Sequence, residues 1–375
     1  MTGVSSIVDL PPRGSTRIRF IDALRGVAAL AVVLHHYNLR LQWNILAHGN
    51  LGVAVFFVLS GFVVTMSVGT TTVSGSYIGR FALRRVLRLD PPYWVTMALV
   101  IGVCYALAGQ ARFDGVTVPQ VLAHMFYLQD ALGYQAILPV FWTLSYEVQF
   151  YLSLVLLLWA LQAVGWRPYV MVLVTAVLSV VDRAVEFTPA PFMGRFWFCF
   201  ALGSLTYWAS RGEVAQRLAY GAIAAVFLYG VAAADGYAAM SALTAAAITV
   251  TLALGRPDLL SGPVWQFLGR ISYSLYLTHL LFGWLALRVV ERFVPVPLAV
   301  AFGVGVAAAV AWVFYVCVEW PAVQLSQLVT VHRPLSELPP PGLRDQAHQA
   351  GALRVPVGDG VDVFEAYDPE CGEGA

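Results

Sequence analysis

The chain contains no lysine and little charge of any kind. Charged residues make up 11% of its 375 positions and hydrophobic residues 59%, against about 25% and 45–50% in soluble domains. That scarcity excludes an ordinary soluble fold. The formal charges nearly cancel, leaving a net +1, which removes the case for a nucleic-acid partner. All 22 basic residues are arginine; the codon bias of a GC-rich genome accounts for that as well as function would, so nothing is built on it. Cysteine is equally sparse. Cys104, Cys199 and Cys317 sit inside apolar runs and Cys371 in the tail, without disulfide or metal-ligand spacing, so no metal site is expected. A cleavable signal is missing as well: Pro11, Pro12, Arg13, Arg17 and Arg19 lead straight into a full-length apolar span with no small-residue cleavage site. No internal repeat is visible, which disfavours transporter folds built on inverted halves.

What the chain does have is a succession of apolar runs long enough to cross a bilayer. They predict an all-α, polytopic transmembrane helical bundle of about ten spans, near 20–40, 51–69, 93–109, 141–163, 169–186, 192–209, 218–234, 238–254, 271–290 and 297–318. The arginine distribution puts both termini in the cytoplasm by the positive-inside rule. Residues 1–16 read as a polar leader, 17–322 as the membrane domain, and 323–375, with LPPPG and several acids, as a disordered cytoplasmic tail. Between about 110 and 140 lies an outer loop with a short interfacial or re-entrant helix; His124 and His48 read as loop or interfacial residues and receive no role.

The first span is the unusual one, because it carries Asp22, Arg25, His35 and His36. Ionisable groups at that depth are costly and mark polar paths inside a bundle. At about 100° per residue, Arg25 and His36 fall within about 20° of one azimuth and about 16 Å apart along the axis. Asp22 shares that face and is expected to pair with Arg25, while His35 points roughly a quarter-turn away. Small side chains, Ala29 and Val32, occupy the face between them and leave room for something long and thin.

Four other stretches bear on chemistry. Arg84, Arg85 and Arg88 precede Pro91-Pro92 at the entrance of the third span. They serve either as positive-inside anchors or as a phosphate clamp, since guanidinium forks match phosphate oxygens bidentately; the prolines are expected to hold that turn rigid. In Phe141-Trp142-Thr143-Leu144-Ser145-Tyr146-Glu147 the aromatics suit an interfacial belt, whereas Glu147 needs a partner, and His36, expected at similar depth, is the predicted one. The run Gly269 to His279 supplies serines and tyrosines at helical spacing together with a mid-span histidine, which packing between helices explains equally well. Glu319-Trp320-Pro321 reads as the end of the tenth span.

Six of these segments, in order, resemble the integral-membrane acyltransferase family 3: IDALRGVAALAVVLHHY, GNLGVAVFFVLSGFVVT, RRVLRLDPPYW, FWTLSYEVQFYL, GRISYSLYLTHLL and EWP, spanning about residues 18–322. The family's arginine and histidine separated by ten residues fall on Arg25 and His36, and its spaced arginine pair on Arg85 and Arg88. Its Trp-Ser-Leu-Ser-x-Glu motif falls on Trp142 to Glu147, with Thr143 a mild departure. A tyrosine usual before the double proline is Asp90 here, a change expected to weaken anion binding. The resemblance implies a membrane O-acyltransferase without a fused esterase-like domain. It would move an acyl group, often acetyl, from acyl-CoA as co-substrate to a hydroxyl of a carbohydrate, glycolipid-like or secondary-metabolite acceptor, with no permanently bound cofactor.

On that reading Arg25, Arg85 and Arg88 bind the acyl-CoA, and His36 acts as general base or covalent acyl carrier, oriented by Glu147. Asp22, Trp142, Ser145, Tyr146 and His279 support them. Tyr37, Trp43 and the 110–140 segment are expected to set acceptor specificity. The chain would be a multi-pass protein of the bacterial cytoplasmic membrane. Two other classes fit parts of the pattern. A proton-coupled small-molecule transporter would also place His, Arg and Glu in spans, and a non-catalytic scaffold would tolerate loss of His36.

Overall fold

A computed structural model describes residues 18–69, 73–108, 116–163, 165, 168–185, 193–214 and 216–331. These residues form helices joined by turns, with no β-strand among them. In chain order the helices begin with α1 (Arg19–Leu41), α2 (Asn44–Ala47), α3 (Gly52–Val68), α4 (Gly75–Ala108), α5 (Val118–Met125), α6 (Trp142–Ala163), α7 (Pro168–Val185) and α8 (Trp197–Ser210). They continue with α9 (Gln216–Ala232), α10 (Gly236–Ala253), α11 (Pro263–Arg270), α12 (Ser272–Thr278), α13 (Trp284–Val290), α14 (Val296–Phe314) and α15 (Trp320–Gln327). Among the described residues, seven helical stretches are long and apolar enough to cross a membrane: Arg19–Leu41, Gly49–Val68, Gly75–Val103, Pro139–Gln162, Gly236–Ala253, Ser272–Val290 and Val296–Gln327. The chain is therefore an all-α polytopic membrane protein, in which each span meets its own backbone hydrogen bonds. The expected spans near 169–186, 192–209 and 218–234 are helical too, as α7, α8 and α9, but fall short of that length or apolarity.

Small residues set the packing. A Cβ on Gly61 of α3 would run into the carbonyl oxygen of Phe200, and one on Gly203 of α8 into that of Val58, so these two helices touch backbone to backbone. Around that crossing, Phe57 stacks on Phe200 at 4.5 Å and Phe150 on Phe200 at 4.3 Å. The same device seats α1. Gly26 and Gly269 face each other where α1 crosses α11, and a Cβ at Gly26 would lie 2.6 Å from the Gly269 nitrogen. With α3, α12 and α14 also against it, α1 is a central post rather than a peripheral span. It stops at Gln42, which takes a left-handed conformation (φ 56°), while the Asn38 side chain donates to the Trp43 carbonyl (3.0 Å) and accepts from the Trp43 amide (2.8 Å).

Two sequence expectations about helix ends are corrected. The arginines before Pro91-Pro92 do not form a turn: α4 runs unbroken for 34 residues through both prolines. The rings remove the amides that would bond the carbonyls of Leu87 and Arg88, a loss that helices inside a membrane bundle tolerate. Nor does Glu319-Trp320-Pro321 end the tenth span. The helix passes through a π-helical turn, Tyr315–Glu319, into α15, with Pro321 just past that turn. Residues 323–327, assigned to the disordered tail, are helical, and Ser326 is buried. The leader 1–16 and residues 332–375 lie outside the described residues.

In the outer loop the short helix is present as α5, capped by Thr117, whose hydroxyl accepts from the Gln120 amide at 3.3 Å. His124 is no loop residue. It is fully buried, donates from Nδ1 to the Gln120 carbonyl (2.8 Å) and accepts the Ile137 amide at Nε2 (3.1 Å). Burial pushes its pKa below the ordinary histidine value. His48 is exposed in the turn after α2, as expected.

Candidate functional site

Residues of α1, α3, α4, α6 and α12, with the π-helical turn before α15, enclose a cavity of about 930 Å³ of empty space, part of it open to solvent. Arg25, Arg85, Arg88, Glu147 and Glu319 all line it, among apolar walls from α3. These five ionisable groups come from four elements far apart in sequence. Packing of α4 against α15 and the π-helical turn before it, and of α3 against α1 and α6, brings those elements together.

The charges in the cavity are bound unequally. Arg85 is fixed: its guanidinium lies 4.7 Å from the Tyr151 ring centroid and 5.2 Å from that of Phe81, and Nη2 donates to Ser67 Oγ at 3.3 Å. Glu147 accepts from Ser60 Oγ (2.7 Å) and from the Tyr151 hydroxyl. Glu319 accepts from the Ser274 amide (3.1 Å) and hydroxyl (2.5 Å). Hydroxyls, not arginines, therefore make the direct bonds to both carboxylates. Arg25 and Arg88 make no hydrogen bond and no ion pair among the described residues. Three guanidiniums face two carboxylates, so the cavity carries one formal positive charge in excess and two uncommitted donor forks. An anion with several oxygens fits that arrangement.

Deeper along α1, past the cavity, lies a histidine pair. His36 Nδ1 is 2.9 Å from His279 Nε2, with ring centroids 5.1 Å apart. His279 is fully buried and opens a second π-helical turn, His279–Gly283; such turns recur at functional sites because they displace backbone groups from the α-helical pattern. Here Leu275 O and Tyr276 O stand 3.0 and 2.9 Å from His279 Nδ1, and His279 O receives the Tyr37 hydroxyl at 2.8 Å. Tyr276 separates cavity from histidines. It lines the cavity, its ring centroid is 6.2 Å from that of His279, and its hydroxyl lies 2.7 Å from Thr143 Oγ1.

Of the residues singled out in the sequence, Arg25, Arg85, Arg88 and Glu147 converge on the cavity, and His36 meets His279 beside it. Several expected relations do not form. Glu147 is bonded to Ser60 and Tyr151, not to His36; α6 begins at Trp142 after a 3₁₀ turn, which places Glu147 level with the middle of α3. Arg25 forms no ion pair with Asp22, whose main chain is pressed against Gly269 at the helix crossing. Trp142 and Tyr146 belong to an aromatic cluster with Phe196 (5.7 and 5.3 Å) and do not line the cavity. Ser145 is fully buried on another face, receiving Gln129 Nε2 at 2.5 Å. Tyr37 is wholly buried against His279, which removes it as an acceptor-specificity residue, whereas Trp43 is about half exposed. Asp90 is buried outside the cavity lining and accepts the Tyr127 hydroxyl at 2.8 Å, so the expected weakening of anion binding has no structural basis.

Glu319, Ser274, Ser60 and Tyr276 were not assigned to the site from sequence. For Glu319 a signal existed, since a carboxylate within an apolar run calls for a partner; the following proline masked it.

This is a polytopic membrane protein with a cavity lined by three arginines and two glutamates at its core and a histidine pair near it. Residues 18–316 match the acyltransferase 3 family model, an acyltransferase domain, and the chain belongs to that family; it is a membrane acyltransferase. It is 28% identical over 281 residues to the ORF330 protein of Acidianus two-tailed virus, named as a provisional acetyltransferase, covering 70% of this chain and 82% of that one. It is 26% identical over 277 residues to the exopolysaccharide production protein ExoZ of Rhizobium meliloti, 65% of this chain and 77% of that one. With the peptidoglycan O-acetyltransferase OatA of Listeria monocytogenes it shares 30% identity over 146 residues, only 35% of this chain and 22% of that one. No solved structure matches the chain significantly.

Proposed function

We propose that the chain transfers an acetyl group from acetyl-CoA to a hydroxyl of a carbohydrate or glycolipid of the cell envelope. One observation carries the donor half: Arg25 and Arg88, two guanidiniums without a partner among the described residues, line a cavity that only Tyr276 separates from a histidine pair. The phosphates of CoA are the anions those forks fit. The pantetheine arm is long and thin enough to cover the about 16 Å along α1 that separates Arg25 from His36; it would run beside α1 rather than on its Ala29–Val32 face, which is packed into the core. His36 then takes the proton from the acceptor hydroxyl. The hydroxyl oxygen bonds to the acyl carbon, the carbon–sulfur bond breaks, and the proton returns to the leaving sulfur as CoA thiol. The names of OatA and ExoZ point to envelope or exported saccharides as acceptors.

In this reading about ten helices span the membrane, both termini are cytoplasmic, and the arginines face the cytoplasmic CoA pool. The acceptor approaches the opposite end of α1, and the 110–140 segment, of which residues 116–140 are described, sets its identity.

The test uses purified protein in nanodiscs with acetyl-CoA, measuring binding and slow release of free CoA with water as acceptor. Wild type should bind and turn over slowly. Arg85→Ala/Arg88→Ala should lose binding, and His36→Ala should bind without turnover. A folded wild type with no affinity for any acyl-CoA would sink the donor assignment.

A further inference from the structure

The hydrogen bonds around the histidine pair determine more than its proximity. His279 Nδ1 faces two carbonyl oxygens, Leu275 O at 3.0 Å and Tyr276 O at 2.9 Å. Carbonyl oxygens only accept, so His279 Nδ1 must carry the proton. In a neutral ring the other nitrogen, Nε2, is then an acceptor. His36 Nδ1 lies 2.9 Å from that atom and so must be the donor. His36 Nε2 is left with its lone pair. In this orientation both ring nitrogens of His279 are engaged, Nδ1 by the two carbonyls and Nε2 by His36, and its own carbonyl is held by the Tyr37 hydroxyl at 2.8 Å. The π-helical turn at His279–Gly283 keeps the whole unit in place at the level of His36.

We infer that His279 is a positioning residue: a neutral imidazole that holds His36 in the Nδ1–H tautomer and makes His36 Nε2 the atom that accepts the substrate proton. The inference deepens the proposed function and rests on its acetyl-CoA reading. In serine-hydrolase triads a buried carboxylate performs this task and also stabilises the imidazolium formed on the way. Here a neutral ring does the orienting. Among the described residues no carboxylate is bonded to either histidine; Glu147 and Glu319 are both engaged on the cavity side. His36 therefore holds the proton only between its removal from the acceptor oxygen and its delivery to the departing sulfur. The ring nitrogen that receives it is the one that returns it, and His279 gains and loses nothing in the cycle.

Two variants and one spectrum test this on the full chain in nanodiscs. Phe at position 279 keeps a ring but removes the acceptor; Gln offers an amide oxygen for His36 Nδ1–H and an amide N–H₂ for the helix carbonyls. His279→Phe should bind acetyl-CoA within about twofold of wild type yet release free CoA at least about 30-fold more slowly, within the range a well-placed general base contributes. His279→Gln should recover to within about tenfold of wild type. Equal rates for Phe and Gln, or a Phe variant as fast as wild type, would overturn the assignment while leaving the donor reading intact if His36→Ala is inactive. A wild type that neither binds nor cleaves acetyl-CoA overturns both.

The spectrum needs no altered position 279. With ¹⁵N-labelled histidine, the difference between wild type and His36→Ala should show a His36 ring protonated at Nδ1 and bare at Nε2, the less common tautomer for a free imidazole. Protonation at Nε2 would refute the proposal whatever the kinetics.

Discussion

Two groups of buried polar side chains flank the first turns of α6, and they differ in what their hydrogen bonds leave over. On one side Thr143 and Glu147 look into the cavity, where Arg25 and Arg88 have donors to spare. On the other side, Ser145 meets Gln129, Gln120 donates to the Gln135 carbonyl at 2.8 Å, and His124 ties Gln120 to Ile137. The second group is almost closed on itself; the exceptions there are Gln129 Oε1, Asp130 Oδ2 and the Tyr93 hydroxyl. Both groups are polar, buried and close in sequence. Satisfied polarity fastens a loop to a helix, whereas polarity held open around a void is suited to a ligand.

If that distinction is right, substitutions on the two sides should separate affinity from stability. The largest effect belongs to the double variant Arg25→Ala/Arg88→Ala, which should weaken acetyl-CoA binding by about 100-fold or more, as expected for two lost charge-assisted bonds, with little change in melting temperature. Calorimetry in nanodiscs reads both quantities, and an unaltered affinity would mean that the cavity is not the donor site. Next comes Ser145→Ala, expected to cost about 1–2 kcal/mol of stability by stranding Gln129 while acetyl-CoA affinity stays within about twofold. An affinity that fell in step with stability would erase the difference between the groups.

Glu319→Gln is subtler. The amide oxygen still accepts both Ser274 bonds, but a negative charge leaves the cavity, so acetyl-CoA should bind about fivefold more tightly, less so at high salt. The smallest effect concerns His124. Burial lowers its pKa, so the folded state prefers the neutral ring, and His124 Nε2 must be bare to accept the Ile137 amide. Above the unfolded value of about 6.5 the ring costs nothing; as pH falls below it, the unfolded chain takes up a proton that the folded one resists. Hydrogen exchange at Ile137, corrected for its intrinsic rate, should therefore quicken between pH 7.5 and 5.5. A His124→Gln variant should lose that dependence.

Much of the site could be read from residue patterns because it lies on single helices. Arg25 and His36 share a face by helical arithmetic alone, and Arg85 and Arg88 carry their own spacing. The partners could not be read this way. Glu147 was matched to His36 by estimated depth, but where α6 starts depends on the 3₁₀ turn at Pro139–Phe141, which no periodicity announces. Pro91-Pro92 and Pro321 read as breaks under rules drawn from helices in water; inside a bundle a helix can run through proline, as α4 does. His124 looked like a loop residue because its two partners, Gln120 and Ile137, become neighbours only after folding.

Both π-helical turns sit where chemistry is carried: His279 opens one and Glu319 closes the other. Each contains one more residue than an α-helix would use for the same turn. An α-helix would sweep the same arc with one residue fewer, so each π-turn absorbs an extra residue while its flanks keep their phase. Removing one residue from either should therefore leave a span that is still long, apolar and able to insert, with both flanks still packed. What would be lost is the backbone displaced at the turn itself, around His279 in the first case and Glu319 in the second. Local chain length at these two points thus decides how those groups are presented, and a one-residue deletion there should yield a protein that assembles in the membrane with its reacting groups misplaced.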